Sequence, residues 1–360
     1  MMVVSIHLLF NTVLDEPLHR IIPGPITWLQ THGDKGVQVF FVLSGFVIVL
    51  SLMRERFTWS AAKMFALRRQ LRLDAVYWVV MAVTIVDLLV ERAAGFVVSD
   101  PIPGVGTILR NVLYLQGVTG AEQVVHVGWT LAIEIQFYLF MLVLLGLAST
   151  KLFANCITER SGDDSAVLPL LPALLWTTGA ASLLYSAWVG NYDDRRSGVV
   201  FWIYFALGGL CAMAYLNRCR WRWPFTLGLL VAGVAVIDLQ ADKGRLGAGL
   251  VTTFVVALGV LRPRLVRRLD SSRMLQYLGS RSYSLYLAHD VVITLVMRAG
   301  YKVTGDSPAG ALVWMVIATV LALVATEVLF RWVERPSVRF SLKVKHQGFR
   351  AALSAVTRRS

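Results

Sequence analysis

The stretch GVQVFFVLSGFVIVLSLM, residues 36–53, decides the fold class of this chain, because no acidic or basic side chain interrupts it. It approaches the roughly 20 apolar residues that an α-helix needs to cross a hydrocarbon core ~30 Å thick. Comparable apolar blocks lie at about 1–14, 73–90, 127–148, 169–189, 198–216, 223–240, 247–262, 277–298 and 310–331. The pattern predicts an all-α, polytopic integral membrane protein with about ten transmembrane helices.

The overall composition supports this fold class. Of 360 residues, 56% are hydrophobic and 16% are charged, and the mean hydropathy is +0.63. A soluble domain averages about 25% charged residues, so a soluble enzyme, a nucleic-acid module and a disulfide-stapled secreted domain are excluded. The cysteines Cys156, Cys211 and Cys219 lack C-x-x-C spacing, which indicates neither a metal site nor a disulfide framework. The net charge of +13 is typical of positive-inside loops, and we expect no nucleic-acid partner.

The basic residues predict the orientation of the chain. Roughly two thirds of the 35 lysines and arginines fall in loops on one side of the alternating ten-span plan. This asymmetry predicts a multi-pass protein of a bacterial inner (cytoplasmic) membrane with both termini in the cytoplasm. Residues 1–340 form the membrane domain in this plan. Residues 341–360 form a basic cytoplasmic tail, expected to lie on anionic membrane lipids.

Two segments depart from regular spans. Residues 1–14 would reach only ~21 Å as a helix, so either this helix does not cross fully or the chain begins late. The moderately apolar stretch 102–117 contains Arg110 and Asn111, which favours an interfacial or re-entrant segment. Within residues 36–53, Ser44 and Gly45 are expected to serve close helix packing, because small residues let helices approach each other in lipid.

Ionisable side chains inside apolar blocks are candidate functional residues, because burying them in a membrane is expensive. His7 could act as a general base near neutral pH, or it could be a packed histidine bonded to a neighbour. Glu134 lies four residues before Tyr138, so the two could form a hydrogen-bonded cluster that is either catalytic or purely structural.

Two further sets of polar residues share a helix face. Arg69 and Arg72 are three residues apart, and their guanidinium groups suit phosphate or, alternatively, serve as ordinary lipid anchors. Ser282, Tyr286 and His289 follow an i, i+4, i+7 pattern, which could line a polar pocket or supply interhelical hydrogen bonds. Asp290 follows His289 and is a second ionisable group in the same block.

The chain resembles acyltransferase family 3 of integral membrane proteins in five strings that occur in the order and spacing of that family. They are GVQVFFVLSGFVI (36–48), RRQLRLDAVYW (68–78), VGWTLAIEIQFYLF (127–140), LGSRSYSLYLAHD (278–290) and VERPSVRF (333–340). His7 matches the histidine that the family uses in catalysis. The arginine that the family carries eleven residues earlier would precede Met1, and Ala75 stands where the family usually has proline.

The resemblance implies a membrane enzyme that moves an acyl group, usually acetyl, from cytoplasmic acyl-CoA to a hydroxyl of an extracytoplasmic glycan or glycolipid. Lipopolysaccharide and exopolysaccharide are typical acceptors, and no metal is implied. Arg69 and Arg72 would hold the donor phosphates. His7 would be a general base or an acyl carrier, and both roles stay open. Glu134 would orient or charge-balance the site.

In this scheme Ser282, Tyr286 and His289 are weaker candidates for the pocket wall. A transporter or flippase for a polar or glycolipid substrate is the main alternative. A structural or sensory membrane subunit is another.

Overall fold

A computed structural model describes His7, Glu16, Leu18 and Gly24 together with residues 32–53, 58–93, 101–149, 170–238, 241–264 and 271–347. Within these residues the chain is helical, with no strands. It divides into two compact units. The first comprises Met1–Asp34, Lys63–Trp129 and Ser272–Ser360, and the second comprises Lys35–Ala62 and Thr130–Ser271.

The helices follow the apolar blocks of the sequence. They are α1 (Gly36–Met53), α2 (Trp59–Ala93), α3 (Val105–Val112), α4 (Gln116–Thr119), α5 (Trp129–Ala148), α6 (Leu171–Val189), α7 (Trp202–Tyr215), α8 (Arg222–Ile237), α9 (Lys243–Leu261), α10 (Arg273–Thr304), α11 (Pro308–Leu329) and α12 (Arg335–Gln347). Short 3₁₀ turns lie at Gly33–Lys35 and His126–Gly128, and a π-helical turn at Phe330–Glu334 joins α11 to α12.

Among the described residues, five helical segments are long and apolar enough to cross a membrane. They are Gly33–Met53, Trp59–Ala93, His126–Ala148, Lys243–Leu261 and Pro308–Val344. Helices α6, α7, α8 and α10 fall on four more of the predicted blocks. The block 1–14, apart from His7, and the tail beyond residue 347 lie outside the described residues. For the described residues, the all-helical fold with helices of membrane-spanning length is therefore confirmed, and the count of about ten spans stays a prediction.

Helix α2 is longer than its apolar block, which begins near residue 73. It has 35 residues, about 52 Å at 1.5 Å per residue. The Thr58 hydroxyl accepts a hydrogen bond from the Ala61 amide and caps the helix start. The segment that follows is rich in Ala, Leu, Met, Lys, Arg and Gln, which are strong helix formers. The helix therefore carries the arginines of residues 68–72 on a rigid scaffold.

The second unit is built on a glycine contact between α1 and α7. A Cβ on Gly45 would lie 2.2 Å from the Phe205 carbonyl oxygen, and a Cβ on Gly208 would lie 1.9 Å from the Val42 carbonyl oxygen. Such approaches are open only to glycine, which confirms the predicted packing role of Gly45. Residues 202–214 of α7 are all buried, so this helix forms the centre of the unit.

In the first unit, α10 and α11 pair as a helical hairpin. The Ser307 hydroxyl accepts a hydrogen bond from the Gly310 amide and caps the start of α11. The buried core of the pair contains Ile293 and Met297 of α10 with Ala311 and Ala318 of α11. This hairpin holds rigid the segment of α10 that carries His289 and Asp290.

Candidate active site

Two histidines of the first unit contact one buried carboxylate. Asp290 Oδ1 lies 3.0 Å from His7 Nδ1, and Asp290 Oδ2 lies 3.6 Å from His126 Nδ1. The side chain of Asp290 is 9% exposed, that of His7 is 20% exposed and that of His126 is 64% exposed. An ionised carboxylate only accepts hydrogen bonds, so it holds the His7 proton on Nδ1. The Nε2 atom of His7 is then the basic nitrogen.

His289 lies directly beside this pair. Its ring stands edge-on to the His7 ring, with centroids 5.1 Å apart and an interplanar angle of 82°. Its Nδ1 atom is 3.0 Å from the Leu285 carbonyl oxygen, which places the proton on Nδ1 because a carbonyl cannot donate. Among the described residues, the buried Nε2 atom of His289 has no hydrogen-bond partner. An acceptor nitrogen therefore lies next to the candidate base.

The turn that carries His126 is held by two tyrosines. The Tyr286 hydroxyl donates to the Val127 carbonyl oxygen at 3.2 Å. A Cβ on Gly128 would lie 3.0 Å from Cε2 of Tyr77, so this turn packs tightly against the ring. Tyr286, predicted as a pocket residue, thus supports the backbone beside His126.

The segment before this turn is anchored by a fully buried asparagine. The Asn111 amide donates to the Thr107 and Glu122 carbonyl oxygens, each at 2.9 Å. Its side-chain oxygen accepts from the Val124 amide at 3.1 Å and from the Tyr77 hydroxyl at 3.4 Å. The stretch 102–117, predicted as interfacial or re-entrant, forms the short helices α3 and α4. Asn111 connects these helices by hydrogen bonds to the segment that leads to His126.

Arg72 contacts a second buried carboxylate of the first unit. Its Nη2 atom lies 3.3 Å from Glu334 Oε1, and the Ser284 hydroxyl donates to Glu334 Oε2 at 2.7 Å. Glu334 is 1% exposed and ends the π-helical turn after α11. The Arg72 side chain is 47% exposed, and a guanidinium group has five N–H donors. Arg72 can therefore hold Glu334 and still donate to an anion from solvent.

The other predicted residues of the first unit are placed differently. Arg69 lies one helical turn before Arg72 on α2 and is half-buried. Ser282 is exposed and donates to the Gly279 carbonyl oxygen of its own helix. The structure thus brings together His7, Tyr286 and His289, and it places Ser282 two turns away along α10.

Glu134 belongs to the second unit. It is 2% exposed on α5, and its Oε1 atom accepts a hydrogen bond of 2.7 Å from the Ser44 hydroxyl. Ser44, expected to serve helix packing, therefore also solvates a buried carboxylate. A buried carboxylate needs such a donor, because desolvation without a partner is costly.

No role for Asp290 or His126 follows from the sequence alone. Asp290 is visible there as an ionisable group in an apolar block, but adjacent helix residues point in different directions. His126 lies in a polar connection, where a histidine is not unusual, and no sequence spacing links it to α10. Within the described part of the chain, no set of three or more His, Cys, Asp and Glu side chains has the arrangement of a metal site.

Comparison with known proteins identifies the family to which the chain belongs. A family model for an acyltransferase domain, that of acyltransferase family 3, matches residues 1–331. O-acetyltransferase OatA of Staphylococcus aureus strain NCTC 8325 is 28% identical over 362 residues, covering 90% of this chain and 54% of OatA. A Staphylococcus aureus strain COL protein named "Putative O-acetyltransferase" is 26% identical over 349 residues, covering 88% of this chain and 54% of that protein.

The chain thus spans about half the length of the curated relatives it matches. No solved structure matches it. The family match covers the strings at residues 36–48, 68–78, 127–140 and 278–290, and the apolar helices have spanning length. The chain therefore belongs to the acyltransferase 3 family of membrane proteins.

Proposed function

We propose that this chain is a membrane-bound O-acyltransferase that moves an acetyl group from cytoplasmic acyl-CoA to a hydroxyl of an extracytoplasmic glycan. The acceptor class is that of lipopolysaccharide O-antigen or exopolysaccharide. Family membership and the O-acetyltransferase names of its relatives support acetyl transfer. The observation that carries the proposal is the contact of 3.0 Å between His7 Nδ1 and Asp290 Oδ1.

This contact suits general base catalysis. Nε2 of His7 takes the proton of the acceptor hydroxyl while the hydroxyl oxygen attacks the thioester carbonyl carbon. The tetrahedral intermediate then expels the CoA sulfur, which receives that proton from His7, and the acetyl group stays on the acceptor as an ester. Asp290 stabilises the imidazolium that forms between the two steps.

The same geometry serves a second route. Nε2 of His7 attacks the thioester carbonyl carbon directly, the CoA sulfur leaves and takes up a proton from the bulk, and the acetyl group rests on the imidazole. The acceptor hydroxyl then attacks the acyl-imidazole carbon and gives its proton to the bulk. Asp290 fixes the orientation of the His7 imidazole in both routes, so both His7 and Asp290 are required whichever route operates.

The remaining residues have supporting roles in the proposal. Arg69 and Arg72 bind the phosphates of acyl-CoA, because planar guanidinium groups match phosphate oxygens. Tyr286 and His289 border the acceptor pocket, with Nε2 of His289 as a hydrogen-bond acceptor beside the reacting hydroxyl. Ser282 is the weakest member, because it is exposed and bonded within its own helix.

Glu134 is proposed as an essential carboxylate of the second unit, held in place by Ser44. The protein is placed in a bacterial inner membrane with both termini in the cytoplasm, since the donor is cytoplasmic and basic loops stay on that side. The basic tail 341–360 lies against anionic lipids in this scheme.

The proposal is tested by NMR of O-acetyl groups on the envelope glycans of three strains of the source bacterium. One strain lacks the gene, one is complemented with it and one is complemented with a His7→Ala variant of equal abundance. Acetyl signals should vanish on deletion and return only with the intact histidine, and the shifted proton resonances would identify the acceptor sugar. Equal spectra in all three strains would contradict glycan acetylation and favour the transport alternative.

A further inference from the structure

The second unit contains an apolar cavity between α8 and α9. Its volume is about 540 Å³, within the roughly 300–1,000 Å³ of ligand sites in proteins. Phe225 of α8, Phe254 of α9 and the buried Cys211 of α7 are among the residues that line it. No part of the proposed acetyl-transfer chemistry uses this cavity.

The cavity opens onto the outer surface of the helices. Phe225 is 64% exposed and Phe254 is 67% exposed, and only 17% of the apolar window of Lys243–Leu261 is buried inside the protein. Because Lys243–Leu261 has the length and apolarity of a membrane span, the surroundings of this cavity are lipid. Its occupant should therefore come from the bilayer and not from water.

One end of the cavity is cationic. Among the described residues that line it, Arg222 is the one charged side chain, and it lies at the start of α8 next to Trp221. The end of α9 also lines the cavity, through Leu261, and the next residue, Arg262, is exposed. Trp and Arg are typical of the level where lipid headgroups meet the hydrocarbon core.

We infer that this cavity is a binding site for an anionic glycerophospholipid. One acyl chain lies between Phe225 and Phe254, and the phosphate pairs with Arg222. The apolar walls bind methylene groups without selectivity, whereas a basic residue at headgroup level favours a net negative lipid over a zwitterionic one. The inference is independent of the acetyl-transfer proposal.

Two glycines of α8 provide a matched pair of variants. Gly228 lines the cavity, and a Cβ there would meet its nearest heavy atom, Cδ2 of Leu250, at 3.6 Å. A leucine at 228 therefore occupies the cavity without a clash at its Cβ. Gly233 lies on the same helix outside the lining, and no heavy atom of the described residues, apart from its chain neighbours and its own helix backbone, is within 4 Å of its Cβ position. Gly233→Leu is the control for helix propensity and added bulk.

The test is native mass spectrometry of the full chain in a non-ionic detergent, titrated with dioleoyl phosphatidylglycerol and with dioleoyl phosphatidylcholine. The unmodified chain should bind phosphatidylglycerol about fivefold more tightly, the effect of one basic residue at headgroup level. Gly228→Leu should weaken binding of both lipids about tenfold, and Gly233→Leu should leave it unchanged. Arg222→Gln should abolish the preference while phosphatidylcholine binding persists.

Equal affinity of the unmodified chain for the two lipids would overturn the inference and leave unselective bilayer contact. Equal effects of Gly228→Leu and Gly233→Leu would overturn the cavity as the binding place. Displacement of phosphatidylglycerol by acetyl-CoA would assign the cavity to the donor instead. The exposed Arg222→Gln substitution leaves the buried core intact, so it decides the headgroup contact even where Gly228→Leu fails to fold.

Discussion

Replacement of Asp290 by asparagine should slow acetyl transfer by about 10–10⁴-fold while the protein stays folded. The carboxylate lies 3.0 Å from His7 Nδ1 and 3.6 Å from His126 Nδ1. A hydrogen bond to a charged group contributes about 1.5–3 kcal/mol, which sets the lower end of the range. The asparagine amide can also donate to Nδ1 and so move the His7 proton to Nε2. In serine proteases the equivalent change costs about 10⁴-fold, which sets the upper end.

The assay is incorporation of radiolabelled acetyl from acetyl-CoA into envelope glycan by membranes matched for the amount of the chain. Asp306→Asn is the control, because Asp306 is exposed in the turn between α10 and α11 and undergoes the same chemical change. His7→Ala should lose all transfer. A rate for Asp290→Asn within about threefold of the unmodified chain, alongside an inactive His7→Ala, would refute the orienting role of Asp290.

Two further substitutions test the scaffold and the donor site. Gly208→Ala puts a Cβ 1.9 Å from the backbone carbonyl oxygen of Val42, so it should lower the free energy of unfolding by about 1–3 kcal/mol, measured by thermal unfolding in detergent. Gly233→Ala is the control and should have no such effect. Equal unfolding curves for the two variants would contradict the close α1–α7 contact. Arg72→Ala removes the cationic partner of the buried Glu334, so it should lower the free energy of unfolding by about 1–2 kcal/mol, discounted for the exposure of Arg72. It should also raise the KM for acetyl-CoA. The double variant Arg72→Ala/Glu334→Gln should regain the stability of the unmodified chain but keep the raised KM for acetyl-CoA. A return of the KM to that of the unmodified chain would show that Arg72 acts only through Glu334.

The long helices could be predicted from the sequence because their signal is local. The apolar block 36–53 coincides with α1 at both ends, because a fall in the hydrophobicity of the sequence marks where a spanning helix leaves the hydrocarbon core. The start of α2 could not be predicted in this way. The segment from Trp59 to the arginines is a short mixture of apolar and polar residues, and its helical state depends on the Thr58 cap and on good helix formers, not on apolar length.

The candidate site was only partly predictable, because it depends on contacts between distant segments. His7 was identified as a buried ionisable group, but nothing near it in the chain indicates its partner. His289 and Asp290 are neighbours on α10, and only the orientation of that helix decides that Asp290 takes the hydrogen bond of His7. His126 reaches Asp290 because buried Asn111 fixes the connection before it, and a buried polar anchor leaves no periodic signal in a sequence.

Acetyl transfer should be reconstituted with the purified full chain in liposomes, radiolabelled acetyl-CoA and envelope glycan from the deletion strain. Label should move onto the glycan as an alkali-labile ester with the unmodified chain and with Asp306→Asn. We expect no transfer with His7→Ala, because the basic Nε2 that Asp290 orients is then missing. Glycan labelling by His7→Ala at the rate of the unmodified chain would contradict a catalytic role of His7.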